Sequence, residues 1–342
     1  MLKQFLDLVK GKNVFLATHW DADGVTSGAM IYHIIKSKAK NVKTISKGKV
    51  FRIDKEDVPQ DTEIVICTDV QPSEKIEQPV IYIDHHPLEK GIKKDYIFSL
   101  HEESAQSCAL LIWEKLLNQT DDSYFLFLTL LGYFGDGGKN KDIPIELEVK
   151  AMNSFPELMK PNIGYEGETY LEIERYVSSL NTGKRMHWEG TVPFELLKSI
   201  DSYEPFIHGT HPLAKEINNY KKTLRSLYDM RLNIEDMKHL HFAKIECDKN
   251  VQGVLCARNM KNKPIMILNN YDEDKMMASM RVPDNLDFDA GSYLQNFIGE
   301  IPDLLAGGHE KAGGLTFPAQ YFPEFMNLLR TNSYADEKKE HN

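Results

Sequence analysis

The sequence predicts an α/β protein, with a larger parallel-sheet domain joined by a helical connector to a smaller α/β domain. Three observations carry this expectation. Short apolar runs alternate with helical patterns through the first third, as strand–helix–strand units require. Those runs are continuous rather than alternating, which marks strands covered on both faces. The β rhythm then gives way to amphipathic helical patterns over 141–240 and returns after residue 240.

The elements follow in order. MLKQFLDLVKGKN is an amphipathic helix, with Leu2, Phe5, Leu6 and Val9 at helical spacing. NVFLAT (13–18) predicts a strand and TSGAMIYHIIK (26–36) a helix. NVKTIS (41–46), EIVICTD (63–69) and VIYID (80–84) predict further strands. SAQSCALLIWEKLLN (104–118) and SYFLFLTLLGYFG (123–135) predict helices. LAKEINNYKKTLRSLYDMRLN (213–233) reads as one long connecting helix. Beyond it HFAKIECD, VQGVLCARN, KPIMILNN and KMMASMRVP carry the returning β rhythm, and FDAGSYLQNFIGEI (288–301) and QYFPEFMNLLRTN (320–332) predict helices. The expected domains are 1–212 (a core of 1–140 and a helical part, 141–212), a connector at 213–240, a C-terminal domain at 241–332 and a disordered charged tail at 333–342.

The bulk properties narrow the function. The chain has 342 residues, 42% hydrophobic and 27% charged, a soluble profile with room for two cores. No apolar run approaches the ~18 residues that cross a bilayer. The N-terminus lacks the apolar region of a signal peptide. Four scattered cysteines without a CxxC pair argue for a reducing, cytoplasmic setting. The net charge of −10 argues against a protein coated in positive charge that grips duplex DNA. It suits a carboxylate-rich site that cations neutralise.

Acidic and imidazole groups collect where apolar runs end. NVFLAT runs into His19, Asp21 and Asp23; EIVIC into Asp69; VIYI into Asp84, His85 and His86; and the helix LTLLGYFG into Asp136. Three of these four groups stand at the C-terminal ends of predicted parallel strands, the edge where open α/β sheets bind ligands. In extended chain, His19, Asp21 and Asp23 point the same way and converge. Gly24 would then turn the chain into the following helix, whose N-terminus with Ser27 and Gly28 can hold an anion. A lone HxDxDG occurs by chance, and an Asp at a strand end often only caps a helix. The four groups in this order point to a site. Carboxylate and imidazole ligands without cysteine favour Mn²⁺ or Mg²⁺. Two ions about 3.5–4 Å apart can share a carboxylate and hold a hydroxide between them.

The motifs THWDADGVTSG, CTDVQP, YIDHHP and GYFGDGG resemble the four ordered motifs of the DHH phosphoesterase superfamily. LAGGHEKAGG resembles the GGHxxAxG signature of the associated C-terminal substrate-binding domain, and SSLNTGKR resembles the Asn-and-Arg segment of RecJ-like proteins. Within the superfamily, DADGVTS is similar to the RecJ-type single-strand exonucleases.

The resemblance implies two divalent ions, Mn²⁺ or Mg²⁺. His19, Asp21 and Asp69 would hold one. Asp23, Asp69, His85 and Asp136 would hold the other, with Asp69 bridging. His86 would sit by the scissile phosphate, and Asp84 would orient the imidazoles. A metal-held hydroxide would attack in line. Arg281, His309 and the Gly307 and Gly308 backbone would grip substrate phosphates, with Asn181 and Arg185 as further substrate contacts. The implied activity is end-directed hydrolysis of single-stranded DNA or RNA, with replication and repair as its setting. The alternatives are a phosphodiesterase or phosphatase for short oligonucleotides or nucleotides, and a replication-complex scaffold that binds GINS. Trp20 is read as packing or as a base-stacking platform, and His101 and His33 as structural or surface histidines.

Overall fold

The computed structural model describes residues 1–48, 52–88, 95–136, 143–163, 169–270 and 274–331. The tail expected at 333–342 lies outside the described residues. The chain divides into two units, Met1–Lys222 and Thr223–Asn342, and each has its own apolar core.

The first unit opens with α1 (Leu2–Val9), β1 (Asn13–Thr18), α2 (Ala22–Ile35), β2 (Asn41–Ser46) and β3 (Arg52–Ile53). It continues through β4 (Ile64–Thr68), β5 (Gln71–Pro72), β6 (Val80–Asp84) and β7 (Phe98–His101). Five of these strands form a wholly parallel sheet in the order β2-β1-β4-β6-β7. The continuous apolar runs serve two cores at once. Val14, Leu16, Ile64, Ile66, Ile81 and Ile83 feed the larger core. Their alternate neighbours Phe15, Ala17, Val65, Cys67, Val80 and Tyr82 feed a smaller one on the other face.

Helices complete the unit: α3 (Cys108–Leu111), α4 (Ser123–Gly135) and α5 (Ile145–Ser154), a short hairpin of β8 (Pro161–Ile163) and β9 (Thr169–Leu171), then α6 (Glu172–Leu180), α7 (Thr182–His187), α8 (Thr191–Ser199) and α9 (Glu204–Ile207), while α10 (Pro212–Tyr228) begins in this unit and ends in the next. The helix expected over 104–118 starts only at Cys108 and widens to a π-helical turn at Ile112–Leu116. α10 stops at Tyr228, short of the expected residue 233. Residues that the sequence reading placed in the 213–240 connector already form a strand at Glu235–Asp236.

The second unit contains β10 (Glu235–Asp236), β11 (His241–Ile245), α11 (Gln252–Asn259), β12 (Ile265–Asn270), β13 (Lys275–Arg281), α12 (Ala290–Gln295), β14 (Leu305–His309), β15 (Ala312–Pro318) and α13 (Phe322–Thr331). Its mixed sheet runs β10-β11-β12-β13-β15-β14. VQGVLCARN is a correction to the sequence reading, because it forms α11 and not a strand. Gln252, Leu255 and Cys256 are buried, and that spacing is helical rather than alternating. α11 thereby makes the crossover between the parallel pair β11 and β12.

Candidate metal centre

The site collects at the C-terminal edge of the parallel sheet. β1, β4 and β6 are neighbours there, so the residues that follow them meet without any long loop. His19 follows β1. Asp21 is the N-cap of α2, and its Oδ1 accepts from the Gly24 amide at 3.2 Å. Asp23 lies inside the first turn of α2 and does not continue an extended run. The expected i, i+2, i+4 convergence therefore fails for Asp23, because the helix starts four residues earlier than its apolar pattern indicates. Gly24 is also helical. A Cβ there would lie 2.5 Å from the His19 carbonyl, so close approach, not a turn, demands glycine.

Asp23 is fully buried. Its Oδ2 accepts from the Cys108 amide at 2.6 Å and its Oδ1 from Ala109 at 2.9 Å. It thus caps α3 from across the core. Asp69, just past β4, has φ of +58°, a left-handed conformation that Asp tolerates better than most residues. This backbone kink accompanies a buried carboxylate at the middle of the cluster. Its Oδ2 lies 3.7 Å from His19 Nδ1, and its Oδ1 lies 3.6 Å from His85 Nε2 and 3.5 Å from His86 Nδ1. Asp136 ends α4, and its Oδ2 is 2.9 Å from His85 Nε2.

Asp84, like Asp23, has both oxygens already engaged. Oδ1 accepts from the His85 amide, the His86 amide and His86 Nδ1 at 2.7, 2.9 and 2.8 Å. Oδ2 accepts from the Tyr82 hydroxyl at 2.9 Å. His85 Nδ1 donates to the Ala105 carbonyl at 3.1 Å. That bond leaves Nε2 facing Asp69, Asp23 and Asp136. Tyr82 and Ala105 are absent from the sequence-derived site, and neither carries a ligand signature that would have revealed it.

Among the groups of ligand atoms that result are His19, Asp21 and Asp69, and Asp23, His85 and Asp136, while Asp84 and His86 stand with Asp69 and His85 in another. Five buried atoms in them lack an aligned hydrogen bond: His19 Nδ1, both oxygens of Asp69, His85 Nε2 and Asp136 Oδ2. Orphaned polar atoms are costly inside a protein. Here they converge, which is what divalent cations with oxygen and nitrogen ligands require. The residues present therefore fit metal ions.

The electrostatics agree. Burial, reinforced by the charge of Asp136, pushes the Asp23 carboxyl up to about 7. Burial and then Asp23 raise Asp69 well above the usual carboxylate range. Burial pulls His85 down, but Asp136 and Asp69 outweigh it and push the imidazole up to about 12. His86 likewise rises to about 10, because Asp84 and Asp69 overcome its burial. Burial opposes charge on Asp21, yet His19, Lys184 and the Gly24 amide hold its carboxyl well below the usual range. Without cations, protons do part of the neutralising.

Lys184 is a further residue the sequence reading missed. Its Nζ lies 3.6 Å from Asp21 Oδ2. It sits beside Arg185, half-buried on α7, in the segment singled out for Asn181 and Arg185. Asn181 Oδ1 accepts from the Ala22 amide at 3.2 Å, so it fixes the start of α2 directly. Trp20 is buried. A Cβ at Gly48 would lie 2.2 Å from its ring, and one at Gly190 would lie 2.9 Å from its Cα. It is a packing residue, not a stacking platform. His101 and His33 both donate to backbone carbonyls, of His86 and Leu197 respectively. Residues 137–142, which include the Lys139–Asp142 stretch, lie outside the described residues.

Gly132 offers a test of this packing. A Cβ there would lie 2.4 Å from Ala109 Cβ and 2.6 Å from Asp23 Oδ1. Gly132→Ala is expected to lower the melting temperature by roughly 3–10 °C, from an overpacking cost of about 1–3 kcal/mol. It is also expected to weaken Mn²⁺ binding, because Asp23 must move. Thermal melts with and without the ion measure both effects.

In the second unit, Arg281, Ala312 and His309 are paired in one row across β13, β15 and β14. Directly opposed residues share a face. That face also carries Ser279, Gly314 and Gly307, while Met280, Ala278, Leu315 and Phe317 line the core behind it. The backbones of Arg281 and His309 stand roughly 10 Å apart, two strand spacings. The two glycines differ. Nothing lies within 4 Å of a Cβ built at Gly307, whereas at Gly308, φ +150°, it would meet Ala312 O at 2.4 Å. Gly307 leaves open space, and Gly308 serves its own hairpin. Sequence reading also missed Gln252. It is wholly buried on the first turn of α11, and both amide atoms lack a hydrogen-bond partner among the described residues.

Known proteins share parts of this sequence and its fold. Residues 13–132 match the family model described as DHH family, N-terminal domain. A manganese-bound exonuclease RecJ is similar in structure, with a TM-score of 0.60 at 16% identity over 97% of this chain and 92% of that one. RecJ from Thermus thermophilus in complex with Mn²⁺ gives 0.66 at 17% identity, over 97% of this chain and 54% of that one. The chain thus spans about half the length of that protein. A DHH domain from a member of the s1p family of ribosomal proteins gives 0.60 at 15% identity, over 96% and 87% of the two chains. None of the curated proteins compared with the chain matches it. No helix among the described residues is long and apolar enough to cross a membrane.

Proposed function

For a chain that belongs to the DHH phosphoesterase superfamily, we propose metal-dependent hydrolysis of phosphodiester bonds at an end of single-stranded DNA or RNA. The observation that carries this reading is the set of orphaned ligand atoms converging on Asp69. His19, Asp21 and Asp69 would hold one Mn²⁺ or Mg²⁺, and Asp23, His85, Asp136 and Asp69 the second. When bound, such ions polarise a phosphoryl oxygen and lower the pKa of water.

The chain's own residues orient and neutralise. Ala105 O fixes the His85 tautomer, so that Nε2 faces the centre. Asp84 keeps His86 protonated at Nδ1. His86 has a side-chain exposure of 33% against 6% for His85, so it is the imidazole able to reach a substrate. As a cation at neutral pH it would offset charge growing on the phosphoryl oxygens. Lys184, beside Asp21, adds a second positive group. On the second unit, Arg281, His309 and the open backbone at Gly307 would take a substrate phosphate, as would Arg185 on the first.

The net charge of −10 favours a second reading, a phosphodiesterase for short oligonucleotides, because long strands reward a basic surface. A series of 5′-labelled strands from dinucleotides upward, with Mn²⁺, separates the two. An exonuclease keeps its rate as the strand lengthens and leaves a stepwise ladder. A short-substrate enzyme loses its rate. No cleavage of any member by folded, metal-loaded protein defeats both.

A further inference from the structure

Tyr82 immediately precedes the Ile-Asp-His-His run and is fully buried. Its ring stacks with Tyr96, centroids 4.8 Å apart and planes at 27°, and with His101 at 5.7 Å and 28°. Phenylalanine would fill this core position equally well. What distinguishes tyrosine is its hydroxyl, which donates to Asp84 Oδ2 at 2.9 Å.

The other Asp84 oxygen takes three N–H donors, two of them from His86. His101, paired with Asp84 across β6 and β7, donates from Nε2 to the His86 carbonyl at 2.8 Å. A closed circuit results. Tyr82 holds Asp84, Asp84 holds the His86 ring and amide, and His101, stacked on Tyr82, holds the His86 carbonyl. His86 is thus gripped at its ring, its amide and its carbonyl.

We infer that Tyr82 is a positioning residue which acts through Asp84, with His101, to fix the direction in which His86 presents its outer ring nitrogen to the substrate. The role toward substrate rests on the phosphoesterase reading; the grip on His86 does not. Without the hydroxyl, Asp84 Oδ2 becomes an unsatisfied buried acceptor. The carboxylate is then free to rotate, and the His86 Nδ1–H bond lengthens.

The test uses the full chain labelled with ¹⁵N-histidine, metal-free or Mg²⁺-loaded, observing the low-field proton of the His86 Nδ1–H···Asp84 bond. Native protein is expected to show this resonance. Tyr82→Phe is expected to lose it or move it upfield, with kcat down about tenfold or more while KM and Mn²⁺ affinity stay within about twofold. His101→Phe keeps a stacked ring but removes the donor to His86 O, and is expected to move the same resonance by less. Absence of the resonance from native protein overturns the inference. So does a Tyr82→Phe protein with resonance and kcat unchanged. If Tyr82→Phe does not fold, His101→Phe decides, and an unaltered resonance and turnover there overturn the inference as well. If native protein cleaves no phosphodiester, the phosphoesterase reading falls while the resonance comparison still decides the positioning role.

Discussion

Asp69→Asn is expected to abolish detectable phosphodiester hydrolysis and to lower Mn²⁺ affinity at both ligand groups. Asn is the informative replacement because position 69 has φ of +58°. Asn tolerates that conformation, whereas Ala would add backbone strain and confuse the result. The carboxylate has one oxygen facing His19 and the other facing His85 and His86, so a single charge serves both groups. Lewis-acid stabilisation of the transition state is worth several kcal/mol, and at about 1.4 kcal/mol per tenfold its loss costs roughly three decades in kcat/KM. Titration of Mn²⁺ by its electron paramagnetic resonance signal, beside the labelled-strand assay, measures both effects. Full activity in a folded Asp69→Asn protein would remove Asp69 from the centre.

The second large effect couples ions, protons and stability. In metal-free protein, Asp23 holds its proton up to about pH 7, against an ordinary 3.8. His85 and His86 hold theirs up to about 12 and 10, against 6.5. A group whose folded pKa is raised contributes stability fully present below its unfolded value and lost as pH rises through the folded one. Asp23 therefore erodes stability between pH 4 and 7, and the imidazoles erode it above 6.5. Asp21, Asp84 and Asp136 are shifted downward and act oppositely, losing their contribution in acid.

The expected result in chelator is a melting temperature that falls as pH rises from about 6 to 9. Mn²⁺ reverses the trend, because binding displaces protons and tightens with pH. At a hundredfold excess over Kd, the ion adds about 2.7 kcal/mol, or roughly 5–10 °C for a unit of this size. Melting curves across pH with and without Mn²⁺ measure it. Parallel curves would mean that the cluster does not titrate as a metal site.

The sheet and its edge were legible in the sequence for a simple reason. NVFLAT, IVICT and VIYID are apolar at nearly every position, and such runs fit only strands sandwiched between two cores. A polar residue directly after them then had to lie at the sheet edge. Less was legible where local pattern and tertiary contact part company. α2 starts at Ala22 because Asp21 caps it and Asn181, remote in sequence, holds the Ala22 amide; no periodicity in 20–25 announces this. VQGVLCARN contains β-branched and apolar residues that suit either period, and its role as a crossover was decided by the parallel pairing of β11 with β12. Tyr82 was visible as a core residue, but its hydroxyl partner was not. Lys184 was hidden because a lysine on a short helix resembles any solvated lysine until its neighbour is known.

The backbone donors of the centre bear on how freely its surroundings can vary. Gly24 donates its amide to Asp21, Cys108 and Ala109 donate to Asp23, and His85 and His86 donate to Asp84. Much of the negative charge is therefore solvated by peptide groups rather than by side chains. Every non-proline residue supplies such a donor, so positions 108 and 109 serve this purpose with almost any occupant that packs. Chains that have drifted far apart in composition can then keep the same electrostatic cradle, provided the strand ends and helix starts keep their places.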